Sequence, residues 1–292
     1  MRLVTFSERG VVAFRVGVLI KLNGNDAVID LSRIRRDLPL SMRALLHELS
    51  GNFQSLADIA NAAPVEARLQ MADVVFGPVV PDPEKVICIG LNYRDHAEET
   101  NHALPEAPNV FAKYSNTLIG DGQAIVIAAA TSKVDYEAEL AFIIGRRAKE
   151  VSEHDALSYV AGYTIFNDVS ARDYQLRTSQ WTLGKSFDTF GPIGPALVTK
   201  EEVPDPHALG IRLRIGNELL QDSNTSRMIF KVPALVAHLS SAMTLEPGDI
   251  VATGTPAGVG FTRTPPRFLQ PGETVQVEID SLGVLRNPVR RG

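Results

Sequence analysis

The sequence predicts a mainly β protein of the α+β class. A small α/β unit spans residues 1–75, and a larger strand-rich unit spans residues 76–292. Three observations predict this. Short apolar, β-prone runs outnumber helical patterns. Gly- and Pro-rich turns separate those runs, without the strand–helix alternation of a βαβ array. Finally, Pro78-Val79-Val80-Pro81-Asp82-Pro83 places three prolines in six residues, the best linker in the chain.

In chain order, residues 11–20 and 27–31 read as strands around an Asn23-Gly24-Asn25-Asp26 turn. Residues 41–49 have helical spacing with Gly51 placed for a C-cap, and residues 55–70 read as further helix. His47 lies among leucines without an acidic or histidine partner, so it is a packed or exposed side chain. After the linker, Val86-Ile87-Cys88-Ile89-Gly90 is a strand in which Cys88 is a small buried hydrophobe. Asn92 then caps a short helix that carries His96 and Glu99 at i and i+3, on one face. Residues 101–108 form a Pro-punctuated loop, and 124–127 and 134–145 are strands. Residues 155–163 suggest a helix or helical turn. Residues 164–170 end a strand and open a polar loop, and Gly191-Pro192-Ile193-Gly194-Pro195 is a rigid turn. Residues 211–215 and 218–221 flank Gly216-Asn217, a two-residue hairpin signal. Residues 232–243 are helical, with His238 among apolar neighbours as a core or subunit-contact residue. Residues 250–260 run from strand into a Gly-rich turn, and 274–279 alternate as a half-exposed strand.

Bulk composition narrows the class. With 45% hydrophobic and 22% charged residues, the chain is globular rather than disordered. A net charge of −5 without a Lys/Arg run leaves no footprint for nucleic acid. No apolar run approaches the ~20 residues that cross a bilayer, and the first eight residues reach charge too early for a secretory h-region. One cysteine excludes an internal disulfide framework, and the expected compartment is the cytoplasm.

The chemistry centres on Asp135-Tyr136-Glu137-Ala138-Glu139-Leu140. Strand alternation aims Asp135, Glu137 and Glu139 to one face. Like charges so close repel, so either that face is wet or a cation holds it together. The apolar opposite face and a third acid at a strand end, Asp168, favour the cation. Hard oxygen ligands without cysteine or paired histidine suit Mg²⁺, Mn²⁺ or Ca²⁺ rather than Zn²⁺. Asp135 is then an outer acid of the strand, either supporting the ligands from behind or solvated, and not a ligand. Gly184-Lys185-Ser186 is not a phosphate loop, because the glycine needed five positions earlier is Ser179. Lys185, between Trp181 and Phe187, either snorkels to water or meets an anion. Residues 253–260 lack Gly-x-Gly-x-x-Gly order, and no Gly-x-Ser-x-Gly elbow exists.

Five segments in order carry a resemblance: Ile89-Gly90-Leu91-Asn92-Tyr93-Arg94-Asp95-His96, Asp135-Tyr136-Glu137-Ala138-Glu139-Leu140, Asn167-Asp168-Val169-Ser170-Ala171-Arg172-Asp173, Gly184-Lys185-Ser186-Phe187-Asp188 and Thr253-Gly254-Thr255-Pro256-Ala257-Gly258-Val259-Gly260. Over roughly residues 78–290 the chain resembles the fumarylacetoacetate hydrolase superfamily, in its shorter bacterial branch with a small N-terminal domain. The resemblance implies a mixed β-roll, a homodimer, and a divalent metal (Mg²⁺ or Mn²⁺, Ca²⁺ in crystals) held by Glu137, Glu139 and Asp168. It implies that Lys185 contacts the substrate, that His96 and Glu99 activate a water, and that Arg172, Gln175, Lys113 and Thr255 lie near the substrate. The implied substrate is a small keto acid. The expected reaction is C–C hydrolysis of a 2,4-diketo acid of acylpyruvate or fumarylpyruvate type, through a metal-stabilised pyruvate enolate. Oxaloacetate decarboxylation, and isomerisation or hydration of a 2-hydroxy-diene-dioate in aromatic catabolism, share the enolate step and stand as alternatives. A catalytically silent metal-binding dimer is a third reading. Arg263 and Arg267 hint at a second substrate carboxylate, and residues 100–116 could bound the far end of the pocket.

Overall fold

The molecule's two main cores meet at the acidic strand. In the computed structural model, which describes residues 1–22 and 24–292, the apolar run around Leu140 is strand Ala138–Ile144, buried at every position. Its side chains alternate between faces. Leu140, Phe142 and Ile144 enter one core cluster, and Ala141 and Ile143 enter another. A strand covered on both faces needs apolar residues throughout, which explains the unbroken run. Each large apolar side chain removed from water stabilises the fold by ~1.5–3 kcal/mol before entropy is charged against it.

This strand pairs antiparallel with Val160–Asn167 on one side and Ile250–Ala252 on the other. Ile250–Ala252 runs parallel to Val86–Gly90, which pairs antiparallel with Asn109–Lys113 at the sheet's end. These five strands belong to a sheet of twelve strands among the described residues. A five-stranded sheet supplies Ile211, Leu213, Val275, Val277 and Leu285 to the core cluster that holds Leu140 and Phe142. Its hairpin closes at Ile215↔Glu218 around Gly216-Asn217, as the sequence predicts.

The N-terminal residues extend the same large sheet. Arg2–Glu8 forms a strand that the sequence reading missed, pairing with both Gly191–Thr199 and Arg15–Leu22. Met42, Leu45 and Leu46 of helix Met42–Leu49 share a core cluster with Ala141 and Ile143. Val79 and Val80 are fully buried, so the proline-rich segment is a packed connection rather than a loose tether.

Several local expectations are corrected. Residues 191–195 are the first part of strand Gly191–Thr199, not a turn, because Leu118–Ile119 and Val160–Asn167 give them partners on either side. Helix Gln54–Asn61 stops before Pro64, and Val65–Ala67 and Arg68–Gln70 follow as a 3-10 turn and a strand. Residues 11–14 lie outside the strand, which begins at Arg15. Asn25 and Asp26 belong to strand Asn25–Asp30, and Asn23, the first residue of the predicted turn, lies outside the described residues. In 155–163 only Ala156–Tyr159 is helical, a 3-10 turn before a strand. Asn92 does not cap the short helix: Tyr93 occupies that position, while Asn92 donates to Phe230 O and Thr253 O and accepts from Phe230 N. His238 is exposed, so it is not a core residue, whereas Cys88 is buried as expected. Among the described residues, no helix is long and apolar enough to cross a membrane.

Candidate metal centre and active site

The end of one strand ladder assembles the carboxylates. Ala138 pairs with Asn167, so the residues just beyond, Glu137 and Asp168, face each other, and Asp168 N donates to Glu137 O at 2.9 Å. The predicted strand breaks here. Val134–Asp135 pairs with Ser170–Ala171, leaving Tyr136 and Glu137 between two short ladders. Glu139 lies toward the other neighbour, where Gly254 N, after strand Ile250–Ala252, donates to its Oε2 at 2.8 Å. Glu137, Glu139 and Asp168 each offer an oxygen, and these atoms all lie within 4.8 Å of one another in a buried setting.

Cations surround two members of this trio. Lys185 Nζ donates to Glu137 Oε2 at 2.7 Å and Asp168 Oδ2 at 2.8 Å, so Lys185 meets anions rather than snorkelling to water. Phe111 lies beneath that amine at 5.2 Å. Lys113 Nζ donates to Asp168 Oδ1 at 2.7 Å and Val169 O at 3.1 Å. Arg172 pairs through Nη2 with Glu137 Oε1 at 2.7 Å, donates through Nε to Asp135 Oδ2 at 2.8 Å and through Nη1 to Gln175 Oε1 at 2.8 Å, and stacks over Phe261. Asp135 is not solvated. It is fully buried and also accepts from the N–H groups of Tyr136, Gly260 and Phe261, so it anchors the guanidinium that holds Glu137.

The charges do not balance. Asp135, Glu137, Glu139 and Asp168 face Lys113, Arg172 and Lys185, four acids against three bases. Among the described residues Glu139 has no ion-pair partner; its hydrogen-bond donor is the Gly254 N–H. Burial, then the Asp168 and Glu137 carboxylates, push its carboxyl well above the ordinary carboxylate range. For Glu137 burial acts the same way, but Lys185 and Arg172 outweigh it and hold the carboxyl at about 2. Burial disfavours the Lys185 ammonium, yet Asp168 and Glu137 raise its pKa above the usual lysine value. A trio of hard oxygen donors with one negative charge uncompensated fits a divalent cation, so these residues suit the metal the resemblance implies.

A second group stands on the short helix Arg94–Glu99. His96 Nδ1 lies 3.2 Å from Glu99 Oε2, and Gly258 N donates to Glu99 Oε1 at 2.9 Å. The hydrogen bond assigns the proton of His96 to Nδ1 and leaves Nε2 basic. Burial disfavours ionisation of Glu99, but the His96 and Gly258 hydrogen bonds prevail and lower its pKa. Ser223 Oγ donates to Asp95 Oδ2 at 2.6 Å, which ties the helix to the five-stranded sheet. Gly258 has φ +100°, and a Cβ there would sit 2.2 Å from Leu220 O, so only glycine makes this latch.

His96, Glu99, Glu137, Glu139, Arg172, Gln175, Lys185 and Thr255 line one cavity of about 570 Å³. Thr255 Oγ1 donates to Ala138 O and accepts from Gln221 Nε2, both at 2.9 Å, steadying the acidic strand. Lys113 does not line the cavity; its amine is fully buried behind Asp168. Thr100, His102, Asn109 and Phe111 line it, in keeping with the expectation for 100–116. The two loop arginines do not. Arg263 donates to Gly258 O and Leu220 O, and Arg267 pairs with Glu273. A larger hollow of about 730 Å³ beside the N-terminal strands contains none of the carboxylate trio. Not foreseen from the sequence are Asp135's anchoring role and the buried amides Asn167 and Gln221, which accept from Glu137 N and Ala138 N. The one signal for Asn167 was its position beside Asp168; Gln221 had none.

The family profile described as Fumarylacetoacetate (FAA) hydrolase C-terminal matches residues 85–290. The oxaloacetate tautomerase fahd2, mitochondrial, of Xenopus laevis is 44% identical over 291 residues, covering 99% of this chain and 90% of that protein. Among solved structures, the fumarylacetoacetate hydrolase of psychrophilic Exiguobacterium antarcticum superposes with a TM-score of 0.85 at 34% identity, covering 100% of both chains. The maleylpyruvate hydrolase of Sphingobium sp. SYK-6 gives a TM-score of 0.80 at 32% identity, again with 100% of both chains covered.

Proposed function

The chain belongs to the fumarylacetoacetate hydrolase family and is an enzyme of that family, and from that premise we propose that it is a divalent-metal-dependent oxaloacetate tautomerase. The observation that carries this reading is the 44% identity to an oxaloacetate tautomerase across 99% of the chain. The geometry supports it with a base and a positive charge on one cavity. The sequence motifs put C–C hydrolysis first; the relatives favour the alternative enolate chemistry.

Tautomerisation moves one proton from C3 of the keto acid to its C2 oxygen, with no net change of atoms. His96 Nε2 takes the C3 proton and, as imidazolium, returns one to the C2 oxygen, while Glu99 orients the ring through Nδ1 and stabilises its charged form. Lys185 holds a fixed ammonium where negative charge develops on the oxygen. Glu137, Glu139 and Asp168 would hold Mg²⁺ or Mn²⁺, which supplies Lewis acidity toward the keto oxygen when bound. Arg172 fixes Glu137 and borders the cavity with Gln175 and Thr255.

The test is the rate of oxaloacetate enol–keto interconversion with Mg²⁺, alongside pyruvate release from an acylpyruvate. We expect wild type to accelerate the first, and His96→Ala to lower it roughly 10²–10⁴-fold. Hydrolysis of a diketo acid is the second reading, favoured by the same His96–Glu99 pair, which can deprotonate a water as readily as a carbon acid. Faster cleavage of the acylpyruvate than tautomerisation of oxaloacetate would replace the first reading by the second. We further propose a homodimer that binds neither nucleic acid nor membrane. The compartment proposed from the single cysteine is the cytoplasm, although the Xenopus relative is named mitochondrial.

A further inference from the structure

The cavity's cations are all committed near its carboxylate end. Arg172 serves Asp135, Glu137 and Gln175, and Lys185 serves Glu137 and Asp168. Arg263 and Arg267 are turned into backbone carbonyls and Glu273. A dicarboxylate would bring a second negative charge with no cation waiting for it. One titratable side chain on the cavity has no role so far, and that is His102.

The backbone places His102 with care. Helix Arg94–Glu99 ends in a left-handed residue, Asn101, at φ +54°. Asn101 N donates to Glu98 O at 3.2 Å, and His102 N donates to Ala97 O at 2.9 Å. These are the paired bonds of a Schellman cap, so His102 is fixed to the helix that carries His96 and Glu99. Its ring is exposed, lines the cavity and makes no hydrogen bond among the described residues. Asn109, also exposed and on the cavity, has an equally uncommitted side-chain amide among the described residues. Exposure puts both at the open end, away from the buried trio. The other titratable groups on this cavity are His96, Glu99, Glu137, Glu139, Arg172 and Lys185, each already hydrogen-bonded or ion-paired.

We propose that His102, together with the Asn109 amide, receives the terminal carboxylate of a dicarboxylate substrate and so determines specificity for diacids. This rests on the keto-diacid reading above. The imidazole N–H and the Asn109 amide N–H are donors from which a carboxylate oxygen accepts.

The experiment is calorimetric titration of the Mg²⁺-loaded protein with lactate, malate and 2-hydroxyglutarate, which cannot enolise. Lactate lacks the second carboxylate, and the two diacids place it one methylene apart. We expect at least one diacid to bind about tenfold more tightly than lactate. The ratio falls to about one in His102→Leu, and His102→Lys restores it. No diacid advantage in wild type, or an advantage that survives His102→Leu, overturns the proposal. These ligands need no turnover, so a diacid preference without oxaloacetate turnover would reject the tautomerase reading and keep the subsite.

Discussion

Glu139 is the acid whose surroundings leave it most exposed to a partner from outside the chain. Glu137 has two cations, and Asp168 has two lysines, whereas Glu139 has a single backbone N–H. Its raised pKa means that it carries a proton above the pH at which a free carboxylate ionises. A divalent ion requires the carboxylate, so binding displaces that proton. Mg²⁺ affinity therefore rises with pH until the raised pKa is passed, and then levels. Calorimetry in two buffers of different ionisation enthalpy should show proton release; heats independent of buffer would contradict it. The two glutamates also pull stability in opposite directions. Glu137, lowered from an ordinary 4.5 to about 2, contributes stability that is present above 4.5 and lost as pH falls toward 2. Glu139, raised, favours the folded state at low pH, and that contribution is lost as pH rises through its folded pKa. At this scale the sequence exposed the trio, because acids in an apolar run are anomalous. It hid Asp135, because the break between Asp135 and Ala138 depends on two different pairing partners.

The short helix matters less for its length than for its attachments. Six residues are too few to be helical alone, so Arg94–Glu99 depends on its fastenings to Ser223 and Gly258. Gly258→Val should break the second of these, since the new Cβ meets Leu220 O and the left-handed backbone disfavours a β-branched residue. We expect faster amide hydrogen exchange across residues 94–102 and at least a tenfold loss of kcat, with Mg²⁺ affinity within about twofold of wild type. Unchanged exchange in that helix would show that the latch does not hold it. His96 and Glu99 were legible as an i, i+3 pair. What they face was not, because the Gly-rich turn lies over 150 residues away in the chain.

At the scale of the whole molecule, the N-terminal strands and the metal-site strands are one sheet. Leu3 is fully buried and shares a core cluster with Ala141 and Ile143, the apolar neighbours that follow Glu139. Leu3→Ala should cost about 2–5 kcal/mol, and urea unfolding should remain a single transition. Two separable transitions would instead mean that residues 1–75 unfold on their own.

Residue type and order by themselves pointed to the mainly β class, the acidic strand and the i, i+3 pair His96 and Glu99, and left Lys185 open between water and an anion. Each of these readings rests on local chemistry: alternation, an anomalous charge in an apolar run, or spacing on one helix face. The tertiary structure alone decided which acids share a centre and which anchors an arginine. It also decided that Lys113 is sealed behind Asp168, that Arg263 and Arg267 turn away, and that His102 faces the cavity. The reason is physical. A buried charge is defined by what lies within a few ångströms of it, and here those neighbours come from strands, loops and turns far apart in the chain.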